Sequence, residues 1–126
     1  MTVSSAVQDR TARGCVSYHA GRAAELTVSR NYLRRGFALA HERWRGRSGE
    51  IDLIMRDEVG IVFVEVKKSR SFEQAAQRLT PRQMQRIRNS AEEYVGHGPH
   101  GSLTHMRFDV ALVDHSGEVQ ILENAF

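Results

Sequence analysis

Apolar residues recur along the chain with two different periods, and the order in which those periods alternate predicts the fold. From about His19 to Arg35, Ala24, Val28 and Tyr32 follow one another at four-residue spacing and Gly36 then supplies a stop, which predicts a helix burying those three side chains. Phe37 to Trp44 reads as a first strand, with a turn from Arg45 to Gly49 behind it. Ile51–Met55 and Ile61–Lys67 are strand-like runs on either side of the polar break Asp57-Glu58-Val59-Gly60, the pattern of an antiparallel hairpin. Lys68 to Leu79 shows no apolar period and is expected to be a long loop. Thr80-Pro81-Arg82-Gln83 has the form of a capping box, and Met84, Ile87, Ala91 and Tyr94 supply the buried face of the helix it starts, with Arg82 and Arg86 on the exposed flank. Beyond a Gly/Pro/His-rich stretch, Met106, Phe108, Val110 and Leu112 alternate as a strand, and Val119 to Leu122 reads as the last one behind a turn from Asp114 to Glu118.

Helices and strands in this order make an α/β domain with a mixed sheet flanked by helices, in which the helical crossover sets the fourth strand parallel to the third. At 126 residues the chain has one domain's length, assigned to residues 17–126, and residues 1–16 are small and polar and are expected to form a flexible extension. That start lacks the apolar stretch of a secretory signal and no apolar run is long enough to span a bilayer, so a cytoplasmic location without membrane partners is expected. Cys15 is the single cysteine, which excludes an internal disulfide and a cysteine-clustered zinc site. His97, His100 and His105 have no neighbouring acid or cysteine to complete a ligand set, and they are read as a solvated loop.

Charge on the hairpin changes this picture. With a four-residue loop, Arg56 faces Ile61, and counting back along both strands sets Asp52 opposite Glu65. Cross-strand Cβ atoms lie only about 5 Å apart, and two carboxylates at that distance repel by roughly 3 kcal/mol at an effective dielectric of about 20. Strict alternation puts Lys67 on the face of Glu65, together with Phe63 and Ile61, while Val62, Val64 and Val66 point the other way. The lysine alone can neutralise one acid; a divalent cation between Asp52 and Glu65 accounts for all three charges, because Mg²⁺ takes one or two carboxylates plus water and phosphate oxygens. Net charge is only +3, yet Lys67 to Arg88 holds seven cations (Lys67, Lys68, Arg70, Arg78, Arg82, Arg86, Arg88) against the one acid Glu73. Arg43-Trp44-Arg45-Gly46-Arg47 forms a second cluster just before the strand carrying Asp52. Two guanidinium-rich segments beside a carboxylate pair suit phosphate and point to a nucleic acid. Glu25 borders the apolar stripe of the first helix and, from the pattern alone, reads as a solvated glutamate.

Gly49-Glu50-Ile51-Asp52-Leu53-Ile54, Val62-Phe63-Val64-Glu65-Val66-Lys67, the Thr80-Pro81 helix and Arg107-Phe108-Asp109-Val110 together resemble the YraN family of small, uncharacterised bacterial proteins, over about Gly21 to Val113. That family is similar in turn to the PD-(D/E)XK, or restriction-endonuclease-like, superfamily and within it to archaeal Holliday junction resolvases. The resemblance implies a restriction-endonuclease-like core in the order α-β-β-β-α-β. It also implies that Asp52 and Glu65 bind Mg²⁺ or Mn²⁺, that Lys67 is the lysine of the E-x-K element, and that Glu25 is an acid of the site. Where many members carry lysine on the second helix this chain has Gln83, which is accordingly a candidate both for the site and for the helix cap. The implied activity is hydrolysis of DNA phosphodiesters, branched DNA included, with Arg45, Arg47, Lys68, Arg70, Arg78, Arg82 and Arg86 gripping the backbone. A resolvase-like role implies a two-fold dimer. Restriction-like folds also persist in proteins that do not cut, so the alternative is a catalytically idle nucleic-acid-binding protein. In a third reading the acid-lysine cluster is a structural ion-pair network.

Overall fold

Side chains alternate across five strands so that apolar residues form two layers, one on each face of a single sheet. The protein is seen here as a computed structural model that describes residues 21–99, 101 and 104–126; the expected extension of residues 1–16 and His100 lie outside them. Residues 21–34 are helical (α1), followed by strands β1 (Ala38–Arg45), β2 (Glu50–Arg56) and β3 (Ile61–Lys68). Helices α2 (Phe72–Gln77) and α3 (Pro81–Gly96) lead into β4 (Met106–Val113) and β5 (Val119–Leu122). Strands neighbour one another in chain order, antiparallel throughout except for β3 and β4, which the intervening helices allow to run parallel. This is the mixed sheet flanked by helices that the sequence predicts.

Ala24, Val28 and Tyr32 of α1 are all buried, against Leu53, Met55, Val62 and Val64 of the hairpin and Ala111 and Val113 of β4. On the other face Ile87, Ala91 and Val95 of α3 pack on Ile54, Phe63 and Phe108. The expected capping box forms in full: the Thr80 hydroxyl accepts from the Gln83 amide at 3.2 Å, and the Gln83 side chain accepts from the Thr80 amide at 3.0 Å. The long loop expected from Lys68 to Leu79 is corrected by α2, whose six residues bury only Ala75, against Val110 and Leu112. One buried alanine leaves no apolar period to detect, and the signal that was present is the Ser71 cap, whose hydroxyl accepts from the Gln74 amide at 3.2 Å.

Asp109 is wholly buried on the α1 face of β4. Its carboxylate accepts from the Tyr32 hydroxyl at 2.7 Å, from Arg107 through Nε at 3.0 Å and Nη2 at 3.1 Å, and from the Asn124 amide at 3.0 Å. One acid thus joins α1, β4 and the chain after β5. Removing it leaves a guanidinium and an amide without their acceptor, so Asp109→Ala should lower stability by about 3 to 5 kcal/mol in urea unfolding, whereas Tyr32→Phe should cost about 1 kcal/mol. Equal losses from the two substitutions would contradict this account of the network.

Candidate functional site

The hairpin register is the predicted one: Arg56 pairs Ile61, and the ladder runs back through Met55↔Val62 and Ile54↔Phe63 to Leu53↔Val64. Asp52 stands next in that count, opposite Glu65, and there the ladder stops. In place of a backbone partner, the Val66 amide donates to Asp52 Oδ2 at 2.8 Å. The carboxylate acts as a wedge in the mouth of the hairpin. It also interrupts the alternation of β2, because Ile51 packs with Ile54 on the α3 side while Leu53 and Met55 pack on the α1 side.

The neighbouring strand shares the irregularity. Glu42↔Leu53 and Trp44↔Ile51 bracket Arg43, which faces Asp52 and has a left-handed φ of 53°. The effect is to turn Asp52 and Arg43 toward α1. Along β3 period two holds as expected, with Val62, Val64 and Val66 toward α1 and Ile61 and Phe63 on the other face; at Asp52 it does not, and Asp52, Lys67 and Lys68 line a cleft of about 430 Å³ on the α1 side, with Glu25, Arg43 and Arg78. Arg78 is held at its rim by donating to the Lys68 carbonyl at 2.6 Å.

Electrostatics in this cleft follow from burial. The Glu65 carboxyl sits within hydrogen-bonding reach of Asp52, and its pKa is pushed up to about 9, first by desolvation and then by the Asp52 carboxylate, with the Lys67 ammonium opposing the shift. The shift favours the protonated form of Glu65 at neutral pH. Glu25 is also raised, chiefly by burial, and the Asp52 charge adds to that. Arg43 opposes both effects by donating to Glu25 Oε2 through Nε at 3.1 Å and Nη2 at 2.8 Å.

The structure therefore brings together Glu25, Asp52, Glu65, Lys67, Lys68 and Arg78 of the expected residues. Gln83 is engaged in the helix cap. Arg45 pairs with Glu50 at 3.3 Å on the exposed edge, and Arg47, Arg70, Arg82 and Arg86 are exposed away from the cleft lining. Arg43 is the site residue that the sequence pattern missed. Its signal is its place directly across the ladder from Asp52, visible only once the β1–β2 register is known. Among the described residues no group of three or more histidine, cysteine or acidic side chains is close enough to hold a metal ion. No helix among the described residues is long and apolar enough to cross a membrane.

Comparison with known proteins places the fork and the cleft within a family. The sequence profile of the uncharacterised protein family UPF0102 matches residues 24–113, from the first buried residue of α1 to the end of β4. The chain belongs to the UPF0102 family. This is the YraN family that its motifs resemble. A UPF0102 protein of Roseobacter denitrificans is 53% identical over 125 residues, covering 99% of this chain and 97% of the relative. Another from Ruegeria pomeroyi is 55% identical over 114 residues, 90% of this chain and 93% of its own. A third, from Cereibacter sphaeroides strain KD131, is 57% identical over 113 residues, 90% and 97% of the two chains.

Glu65 binds its proton more tightly in the folded protein than in the unfolded chain. Its contribution to stability is therefore fully present below about pH 4.5 and is lost progressively as the pH rises through about 9. In metal-free buffer, Glu65→Gln should flatten the fall in thermal stability between those limits and leave the variant more stable than the parent at pH 9. Melting curves that keep the parent's pH dependence would show that another group carries it.

Proposed function

We propose that this UPF0102 protein is a divalent-metal-dependent endonuclease that hydrolyses DNA phosphodiesters. The observation carrying the proposal is the fork itself: two carboxylates, a lysine and phosphate-suited cations converge on one cleft at the mouth of a splayed hairpin. The donor set suits Mg²⁺ or Mn²⁺, since two carboxylate side chains leave the remaining coordination positions to water and substrate phosphate. Bound there by Asp52 and Glu65, such an ion would polarise the scissile phosphate and acidify an attacking water.

The chain's own residues supply the rest. Asp52 is held at the site by the Val66 amide through one carboxylate oxygen. Glu65, whose pKa is raised, must give up its proton before the two acids can serve as a dianionic ligand set. Lys67 reduces the mutual repulsion of the acids and stands where it can orient water or stabilise charge developing on phosphorus. Lys68 and Arg78, at the rim, grip the flanking phosphates, and the more distant Arg45, Arg47, Arg70, Arg82 and Arg86 extend the basic track. Branched DNA and a two-fold dimer belong to the same reading through the resolvase likeness.

A second reading, a DNA-binding protein with an idle centre, is favoured by one contact: Arg43 occupies an oxygen of Glu25 that the resemblance assigns to the site. The two readings diverge on metal and on the acids. With Mg²⁺ or Mn²⁺ the protein should nick supercoiled or branched DNA, and Asp52→Asn or Lys67→Ala should abolish nicking while the circular dichroism spectrum is retained. Turnover surviving both substitutions would sink the endonuclease assignment; unchanged DNA affinity with no turnover under any metal would establish the idle binder. Because the ligand set must lose a proton, Mn²⁺ affinity measured by calorimetry should rise with pH up to about 9.

A further inference from the structure

At the turn end of the hairpin, on the α3 side of the sheet, lies a second cavity of about 750 Å³, within the range of small-ligand sites. It is separate from the carboxylate cleft: Ile61 stands four residues along β3 from Glu65, roughly 13 Å at about 3.3 Å per residue. Rings dominate one wall. Tyr94 stands almost perpendicular to His41 and to Trp44, with centroids 5.5 and 5.3 Å away. Tyr94 and Trp44 are only half-buried and His41 is exposed, so aromatic surface that could be packed away is left open to the cavity.

Two glycines shape these walls. A Cβ at Gly46 would collide with the Trp44 ring and the Glu93 carboxylate, and one at Gly60 would collide with the His105 carbonyl, so close approach at both places requires glycine. The imidazoles of His97 and His105 add hydrogen-bonding groups to the lining. Its formal charges are mixed, Arg56 against Asp57 and Glu58, and Asp57 Oδ1 is already taken by the Val59 and Gly60 amides. The Arg56 guanidinium makes no hydrogen bond or ion pair among the described residues. A lining of open rings, mixed charge and imidazole hydrogen-bonding groups suits an uncharged planar heterocycle better than a simple anion or an alkylammonium.

We infer that this cavity takes an unpaired nucleobase, stacked against the Trp44–Tyr94–His41 rings. The ligand class rests on the nucleic-acid reading of the carboxylate cleft; the cavity itself does not. The geometry connects the two sites through β1, an edge strand of the sheet: Trp44 faces the ring-lined cavity, and the preceding residue, Arg43, faces the cleft. A single strand crossing that edge can put a base in one site and a phosphate in the other. Preference for single-stranded or junction DNA over uninterrupted duplex follows, since a paired base cannot enter.

Trp44 is the chain's single tryptophan, so its fluorescence reads the cavity without labelling. In metal-free buffer at fixed salt, a six-nucleotide single strand should quench it saturably, and a strand of the same length made of abasic sites should not. Tyr94→Ala should weaken the response about tenfold. If that variant loses its circular dichroism spectrum, His41→Ala, which removes an exposed ring, replaces it and should weaken binding severalfold. An unchanged Trp44 signal with the base-bearing strand, equal quenching by the abasic strand, or quenching by tetramethylammonium instead would each overturn the inference. Asp52→Asn separates it from the endonuclease proposal: quenching should persist in that variant whether or not nicking is lost, and nicking without quenching would leave the cleft assignment standing alone.

Discussion

The candidate site depends on one hydrogen bond, from the Val66 amide to the Asp52 carboxylate. In an uninterrupted hairpin that amide belongs to the β2–β3 ladder and the two acids project from a closed surface. Taking it with a side chain ends the ladder after Leu53↔Val64 and turns Asp52 toward α1, beside Lys67 in the cleft. The amide also satisfies part of a half-buried anion that would otherwise be costly to desolvate. Fold and electrostatics are thus joined at a single backbone group.

Burial and the neighbouring Asp52 carboxylate both push the Glu65 carboxyl toward its protonated form, which eases the repulsion between two acids held side by side. Lys67 does not suffice to ionise both, because Glu65 also loses solvation on folding. At Glu25 burial also raises the pKa, and Arg43, whose backbone occupies a conformation uncommon for a side chain of its size, opposes that rise. The cleft concentrates acids that would be more stable apart and holds them with the cations that line it.

How far the sequence revealed this can be judged residue by residue. The α1 stripe, the Thr80–Gln83 cap and the hairpin register were legible because each depends on local spacing, and the register alone was enough to bring Asp52 and Glu65 together. The break in alternation at Asp52 was not legible, because it arises from a side chain replacing a backbone partner; the period-two order of β3, which positions Glu65, holds. Helix α2 buries too little to show a period. Asp109 appeared only as part of a motif, since its partners Tyr32 and Asn124 lie 77 and 15 residues away along the chain. Arg43 sat in view within an arginine cluster, but its partnership with Glu25 crosses from β1 to α1.

The Asp109 knot has a consequence for where the domain tolerates change. Its Asn124 donor comes from the stretch after β5, where the Ala125 amide also binds the Phe108 carbonyl at 2.7 Å and Phe126 stacks on Phe108 with centroids 5.1 Å apart. A segment that looks peripheral is thus pinned to β4 by backbone, side chain and ring together, so a substitution there is felt in the middle of the sheet, as a buried acid one donor short and an aromatic ring uncovered.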